Sequence, residues 1–320
     1  MPISLIYTVL NEARSLPALL DSIAAQTRLP DEVVVCDGGS TDDTVELLRA
    51  ETRFPLRIII EHRANISHGR NLAIAAATND FIACSDAGTR MHPEWIARIS
   101  QPLESGARSL VAGFFLPDFR TPFEMAMSAT VLPSLDEVRA ETFLPSSRSV
   151  AFHRSTWQAA GGYPEWLDYC EELVFDFAAR DACGPFTFVP DAVIYFRPRG
   201  SLRSFYRQYY LYARGDGKAG LWPRRHAIRY ATYVALPLLL AVCLLASAPW
   251  NMLAALALLA GIGAYLRTPY RRLARLWSDA DAGFRFRALL WPPLIRLVGD
   301  VAKMVGYPVG LRWKRAQPRE

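Results

Sequence analysis

The sequence predicts an α/β fold, a mostly parallel sheet with helices on both faces, followed by a hydrophobic helical hairpin. Two observations predict the sheet. Over the first 120 residues, short β-type apolar runs alternate with stretches of helical period, and polar clusters follow three of the four runs. A third observation predicts the hairpin. Tyr230–Ala248 and Trp250–Leu266 are runs of nineteen and seventeen residues without a charge, separated by Pro249.

The strand-type runs are Ile3–Val9, Glu32–Cys36, Leu56–Ile60 and Phe81–Ser85, and the helical stretches between them are Ser15–Ala25, Asp42–Ala50 and Asn71–Ala77. Strands and helices alternating at this spacing make βαβ units, whose crossovers cover both faces of a parallel sheet. Ligands bind such sheets beyond the carboxyl ends of the strands. The clusters Asn11-Glu12, Asp37-Gly-Gly-Ser40 and Asp86-Ala-Gly-Thr89 fall at those ends, which makes them candidate site loops. From Leu110 to Phe196 the pattern loosens. Ser109–Phe115 and Ser149–Phe152 read as strands, Glu171–Ala182 as a helix, and Phe186–Val189 with Ala192–Phe196 as a returning pair. This half is expected to carry the acceptor side of a cleft.

Charge divides the chain in two. Residues 1–196 hold 15 Lys and Arg against 26 Asp and Glu, whereas residues 197–320 hold 21 against 5. Such asymmetry suggests an aqueous part and a part beside anionic lipid. Nucleic acid would also suit a basic half, but the long uncharged runs favour lipid. Each run is near the roughly 20 residues that a bilayer helix needs. Arg224, Arg225 and Arg229 precede the pair, and Arg267, Arg271, Arg272 and Arg275 follow it. The positive-inside rule then places both flanks in the cytosol. Ala288–Leu311 is apolar but carries Arg296, Asp300 and Lys303, which share about 60° of a helix surface. It is expected to lie in the membrane interface. The expected domains are residues 1–220, catalytic and cytosolic, and 221–320, the membrane part, at the inner (cytoplasmic) membrane. Five cysteines without metal-type spacing, and no secretory leader at the start, point to reduced thiols.

Asp37-Gly38-Gly39-Ser40-Thr41-Asp42 combines glycines for a tight turn with good helix-capping residues. It occurs in order with Thr8-Val-Leu-Asn11-Glu12, Gly69-Arg70-Asn71, Asp86-Ala87-Gly88, Gly161-Gly162-Tyr163, Cys170-Glu171-Glu172-Leu-Val-Phe175 and Val189-Pro190-Asp191-Ala192-Val193. This ordered set resembles the family 2 glycosyltransferases of the GT-A fold, over roughly residues 2–215. The resemblance implies an enzyme that moves a sugar from a nucleotide-sugar donor. It implies that Thr8, Asn11 and Glu12 line the nucleoside pocket, that Asp37 and Gly38 meet the base, and that Arg70 lies near the pyrophosphate. It further implies that Asp86, in Asp86-Ala87-Gly88, holds Mg²⁺ or Mn²⁺ on the diphosphate. Here the chain departs from the family's pattern. Gly88 stands at the second acidic position, and Phe196 or Arg197 stands where many relatives have a His.

Glu171 and Glu172 match the family's Glu-Asp pair, whose second member is the proposed base. Adjacent helical residues point about 100° apart, so only one faces the cleft. By motif position it is Glu172. A base suits a hydroxyl acceptor, and the hairpin suits a lipid or lipid-linked glycan; an anionic polyprenyl phosphate would need no base. A degenerate, non-catalytic membrane scaffold is the other alternative. A dehydrogenase is disfavoured, since no Gly-x-Gly-x-x-Gly follows the first strand. Phe205–Gly215, rich in Tyr and Arg around Gln208, reads either as a helix closing the acceptor end or as an aromatic, basic helix at the lipid surface. His68 and His153 read as structural.

Overall fold

The structure is a computed structural model and describes residues 1–279 and 281–317. In chain order its strands and α-helices are β1 (Ile3–Val9), α1 (Leu16–Ala24), β2 (Glu32–Asp37), α2 (Thr44–Ala50), β3 (Leu56–Ile60), α3 (Ile66–Ala76), β4 (Phe81–Cys84), β5 (Thr89–Met91), α4 (Trp95–Glu104), β6 (Val111–Pro117), α5 (Pro122–Val131), β7 (Val150–His153), α6 (Arg154–Ala159), α7 (Glu171–Cys183), β8 (Thr187–Phe196), α8 (Leu202–Ala219), α9 (Pro223–Leu245), α10 (Trp250–Arg275), α11 (Ala282–Leu289) and α12 (Pro292–Ala316). They fall into two compact units. One comprises Met1–Asp118 with Leu135–Arg197, the other Phe119–Ser134 with Pro198–Glu320. The expected boundary at residue 220 therefore falls inside the second unit, where α8 packs on α12.

The described residues of the first unit form an eight-stranded sheet in the order β3-β2-β1-β4-β7-β6-β8-β5. Pairing is parallel from β3 to β4. Beyond β4 it is mixed: β7 runs antiparallel to β4 and β6, and β5 antiparallel to β8. Alternation along β1 explains the layers, because successive side chains point to opposite faces. Ile3, Leu5, Tyr7 and Val9 pack with Leu16, Leu19 and Ile23 of α1 and Trp95 and Ile99 of α4. Ile6 enters the other core, with Ala73 and Ile74 of α3 and Phe175 of α7. Both faces are thus covered by helices, as expected.

Two expectations in this unit are corrected. Helix α3 begins at Ile66, not Asn71, because Asn65 caps it by accepting the His68 backbone N–H at 2.8 Å. The anticipated pair Phe186–Val189 and Ala192–Phe196 is one strand, β8, running through Pro190 and Asp191. Its pairing with β6 shifts register between Ala112 and Phe114. Gly113 lies at that irregularity, where a Cβ would overlap Ser149 Oγ. A bulge beside a glycine is where a strand tolerates proline.

In the second unit, α9 and α10 are long and apolar enough to cross a membrane. They are displaced from the uncharged runs. Helix α9 starts seven residues before Tyr230, at Pro223, a residue suited to the first helical turn, and α10 continues past Leu266 to Arg275. Charge-free sequence marks where desolvation is tolerated, whereas helix ends are set by hydrogen bonding. The expected segment 288–311 is also redrawn as α12, separate from α11. Arg296, Asp300 and Lys303 do share a face, but it is turned onto neighbouring helices. Asp300 accepts from Arg229 Nε of α9 at 2.8 Å and Tyr265 Oη of α10 at 2.7 Å. Arg296 lies over the Tyr265 ring, and Lys303 over the Tyr209 ring of α8. Leu294, Leu297, Val301, Val305 and Val309 are left exposed. Helices α8 and α12 meet backbone to backbone. A Cβ on Gly306 would overlap Tyr210 O, and one on Gly310 would overlap Arg214 O. Small residues at such spacing permit close helix approach.

Candidate active site

The loops after β1 and β2 are built as one structure. Gly38 N–H donates to Val9 O at 2.9 Å, and Asn11, with φ near +55°, accepts the Thr41 N–H at 2.8 Å. Asn tolerates that left-handed conformation better than most residues. Ser40 Oγ lies 2.8 Å from Asn11 N, and the Glu12 N–H donates to Thr44 Oγ1 at 2.8 Å. Asp37 is fully buried. Its Oδ1 accepts the N–H groups of Gly39 and Ser40 at 3.0 and 2.9 Å, and its Oδ2 accepts Ser40 Oγ–H at 2.5 Å. The carboxylate anticipated at a nucleotide base is occupied in holding the Asp37–Ser40 turn. Asn11, Thr41 and Asp42 are exposed polar residues of this lip, with Thr8, Glu12 and Gly38 partly exposed beside them.

Arg70, expected near a pyrophosphate, meets the loop that carries Asp86. It is 1% exposed, and it bridges Asp86 Oδ1 at 2.7 Å and Glu171 Oε1 at 2.8 Å. Helix α3 can bring it there because Gly69 lets the helix close on Thr8 and Cys36, where a Cβ would come within 2.9 Å of Thr8 Cγ2. The guanidinium therefore ties the loop after β4 to the first turn of α7. Burial would raise the Asp86 carboxyl, but Arg70 and Arg148 outweigh it and hold the group below the usual carboxylate range. Burial dominates at Glu171, which is pushed up to about 7 despite Arg70, with Glu172 adding to the shift.

Helix α7 is preceded by Cys170, whose φ of 66° is left-handed for a residue with a side chain. Such conformations cost of order 1–3 kcal/mol and cluster at functional sites. Glu171 turns inward to Arg70. Glu172 stays partly exposed, and its Oε2 accepts the Ser147 N–H at 3.0 Å. One turn on, Asp176 is 2% exposed, and its Oδ2 has no hydrogen-bond partner. Burial first, then the Glu172 charge, push its carboxyl well above the ordinary range. An unpaired buried acid is held in its neutral form.

Arg148 is the residue that the motifs did not reveal. It precedes β7, and the antiparallel pairing Cys84↔Val150 carries it to the carboxyl end of β4. Its Nε is 3.6 Å from Asp86 Oδ2, and its guanidinium lies over the Phe196 ring at 4.8 Å. His68 and His153 have structural surroundings, the first on Glu165 at 3.0 Å and the second against the Phe81 ring.

A divalent metal has one protein carboxylate available here, Asp86. Among the described residues no group of three His, Cys, Asp or Glu could enclose an ion. Mg²⁺ and Mn²⁺ accept such a site when substrate phosphates supply the remaining oxygens. The residues fit an ion held mainly by a donor, and they do not fit a cage made by the protein.

A family model described as glycosyl transferase family 2 matches residues 4–155. The undecaprenyl-phosphate 4-deoxy-4-formamido-L-arabinose transferase of Yersinia enterocolitica is 35% identical over 111 residues, covering 32% of this chain and 34% of that protein. The protein of the same name from Serratia proteamaculans is 33% identical over 111 residues, with the same two shares. The match thus spans about a third of the length of these curated relatives. Among solved structures, the mannosyltransferase PcManGT from Pyrobaculum calidifontis, in complex with GDP-Man and Mn²⁺, aligns with a TM-score of 0.62 at 21% identity. That alignment covers 91% of this chain and 86% of that one. S. aureus TarS 1-349 in complex with UDP-GlcNAc aligns with a TM-score of 0.51 at 17% identity, covering 99% and 93%. These likenesses establish the shared GT-A fold.

Proposed function

We propose that the chain, whose residues 4–155 match the family 2 glycosyl transferase model, transfers a sugar from a nucleoside-diphosphate donor to a lipid-borne acceptor, in one inverting displacement. The observation that carries this reading is the arrangement about Arg70. One guanidinium fixes Asp86 at 2.7 Å and Glu171 at 2.8 Å, so the loop suited to the donor diphosphate and the helix bearing Glu172 are held in register.

In this reading Thr8, Asn11, Glu12 and Gly38 line the nucleoside pocket, and Asp37 shapes its wall. Asp86, Ala87 and Gly88 lie along the diphosphate. When bound, Mg²⁺ or Mn²⁺ would be held by Asp86 and would supply positive charge at the leaving group. Glu172 is oriented by the Ser147 N–H. It takes the proton of the acceptor hydroxyl as the hydroxyl oxygen bonds to the anomeric carbon. The bond from that carbon to the diphosphate breaks, its electron pair leaves with the nucleoside diphosphate, and the configuration inverts. Glu171, locked on Arg70, positions Glu172 and touches no substrate. Helices α9 and α10 cross the inner membrane with both flanks cytosolic, which puts the catalytic domain beside lipid acceptors.

A second reading has a phosphate acceptor. The names of the curated relatives favour it, because each is an undecaprenyl-phosphate transferase. A thermal-shift screen of sugar nucleotides, with and without Mn²⁺, followed by transfer assays to lipid hydroxyl and lipid phosphate acceptors, tests both. A bound donor stabilises by RT ln(1 + [L]/Kd), about 2.7 kcal/mol at a hundredfold excess over Kd. If no sugar nucleotide stabilises the protein, the catalytic reading fails and a scaffold role replaces it.

A further inference from the structure

Two arginines, Arg70 and Arg148, lie against Asp86. Where a second carboxylate would stand there is Gly88, which is exposed, and a Cβ added there meets nothing within 4 Å. No crowding accounts for the missing acid. Phe196 is paired with Thr89 across the β5–β8 ladder. Its ring, together with that of Phe115 at 5.6 Å, forms an aromatic shelf for the Arg148 guanidinium. Stacking on aromatic faces fixes the plane of an arginine. Of the two arginines on Asp86, Arg70 has a side chain only 2% exposed, whereas that of Arg148 is 23% exposed.

From this geometry we propose that Arg148 binds the diphosphate of the nucleotide donor and carries part of the leaving-group charge. The inference rests on the donor-binding reading above and adds to it a residue and a consequence. A guanidinium presents five N–H donors in a fork that matches phosphate oxygens, often two at a time. A cation supplied by the protein gives the diphosphate a partner that chelators cannot remove. Recognition of the second phosphate therefore has a metal-independent component, and the single carboxylate at Asp86 has a balanced role. It anchors Arg148 on one oxygen and Arg70 on the other.

The test compares UDP and GDP with UMP and GMP by calorimetry on the full chain in detergent, in EDTA and then in Mn²⁺. For the nucleotide that binds, the diphosphate is expected to bind at least tenfold more tightly than the monophosphate in EDTA. Arg148→Gln is expected to remove that preference and Arg148→Lys to keep part of it, with monophosphate affinity unchanged in both. Unchanged monophosphate binding also shows that the variants are folded. A diphosphate preference that appears only with Mn²⁺, or one that survives Arg148→Gln in EDTA, overturns the role of Arg148 and leaves the donor-binding reading intact. Absence of binding by all four nucleotides under both conditions overturns both.

Discussion

At the scale of single residues, α7 offers two adjacent glutamates with different surroundings. Glu172→Gln is expected to keep donor binding and lower turnover to a hydroxyl acceptor about a hundredfold or more, the usual contribution of a positioned base. Glu171→Gln is expected to cost much less turnover, since that side chain is spent on Arg70. Near-normal transfer by Glu172→Gln with the donor still bound would point to the phosphate acceptor. Glu171 and Asp176 also make a pH prediction. Both have folded-state values raised above their ordinary ones, so the native state binds more protons than the unfolded chain. Their contribution to stability is full below the ordinary carboxylate range. It is lost as pH rises, for Glu171 between about 4.5 and about 7. Melting curves should show parent stability falling across that window, and Asp176→Asn should fall less steeply. A steeper fall in the variant would contradict the neutral acid. The motifs named Asp86 and Glu171, which the structure joins through Arg70, and left unseen that Asp37 accepts the N–H groups of its own turn. A motif string records which residues occur and leaves open whether a carboxylate turns to solvent or to its own backbone N–H groups. Arg148 was hidden for another reason. Its approach to Asp86 depends on an antiparallel strand reversal some sixty residues downstream of β4.

At the scale of elements, the first four strands were legible because Val- and Ile-rich runs between turn residues have one stable solution in a two-faced sheet. Helix α5 was not read at all; its signal is a capping box at Thr121 and Glu124 rather than a strong apolar period. β8 was divided in two because Pro190 normally ends a strand. The α8–α12 contact was equally hidden, since glycines in an apolar helix announce nothing until a partner is known. It yields a prediction. Gly306→Val should strongly lower the thermal stability of the protein in detergent, because the added atoms overlap the Tyr210 carbonyl. Overpacking of this kind costs roughly 1–3 kcal/mol or more. Gly88→Ala, with open space around its Cβ, is the control and should melt like the parent. Equal melting of the two variants would refute the close packing.

At the scale of the whole molecule, the change of charge balance between residues 196 and 197 falls beside the boundary at Arg197 and Pro198 between the two compact units. Charge could not show that Phe119–Ser134 joins the second unit, because that assignment follows from packing. The membrane reading makes its own prediction. The protein should stay with membranes through alkaline carbonate and high-salt washes, and a C-terminal tag should be cleaved by protease only after the cytosolic side is opened. Release by salt alone would reduce α9 and α10 to surface helices.

The exposed apolar face of α12 has a further consequence, in the pattern of substitutions the protein will accept. In a water-soluble helix a mutational scan finds the outer positions permissive and the inner ones strict about apolarity. On α12 the scan should depart from that pattern on the outer face and at Asp300. Aspartate introduced at Val301 or Val305, on the outside, should be rejected. The inner position Asp300, gripped by Arg229 and Tyr265, should reject leucine. Selection on this helix would therefore preserve apolar residues outside and Asp300 among the small and apolar residues inside, and a family alignment could be searched for that signature without any knowledge of the substrate.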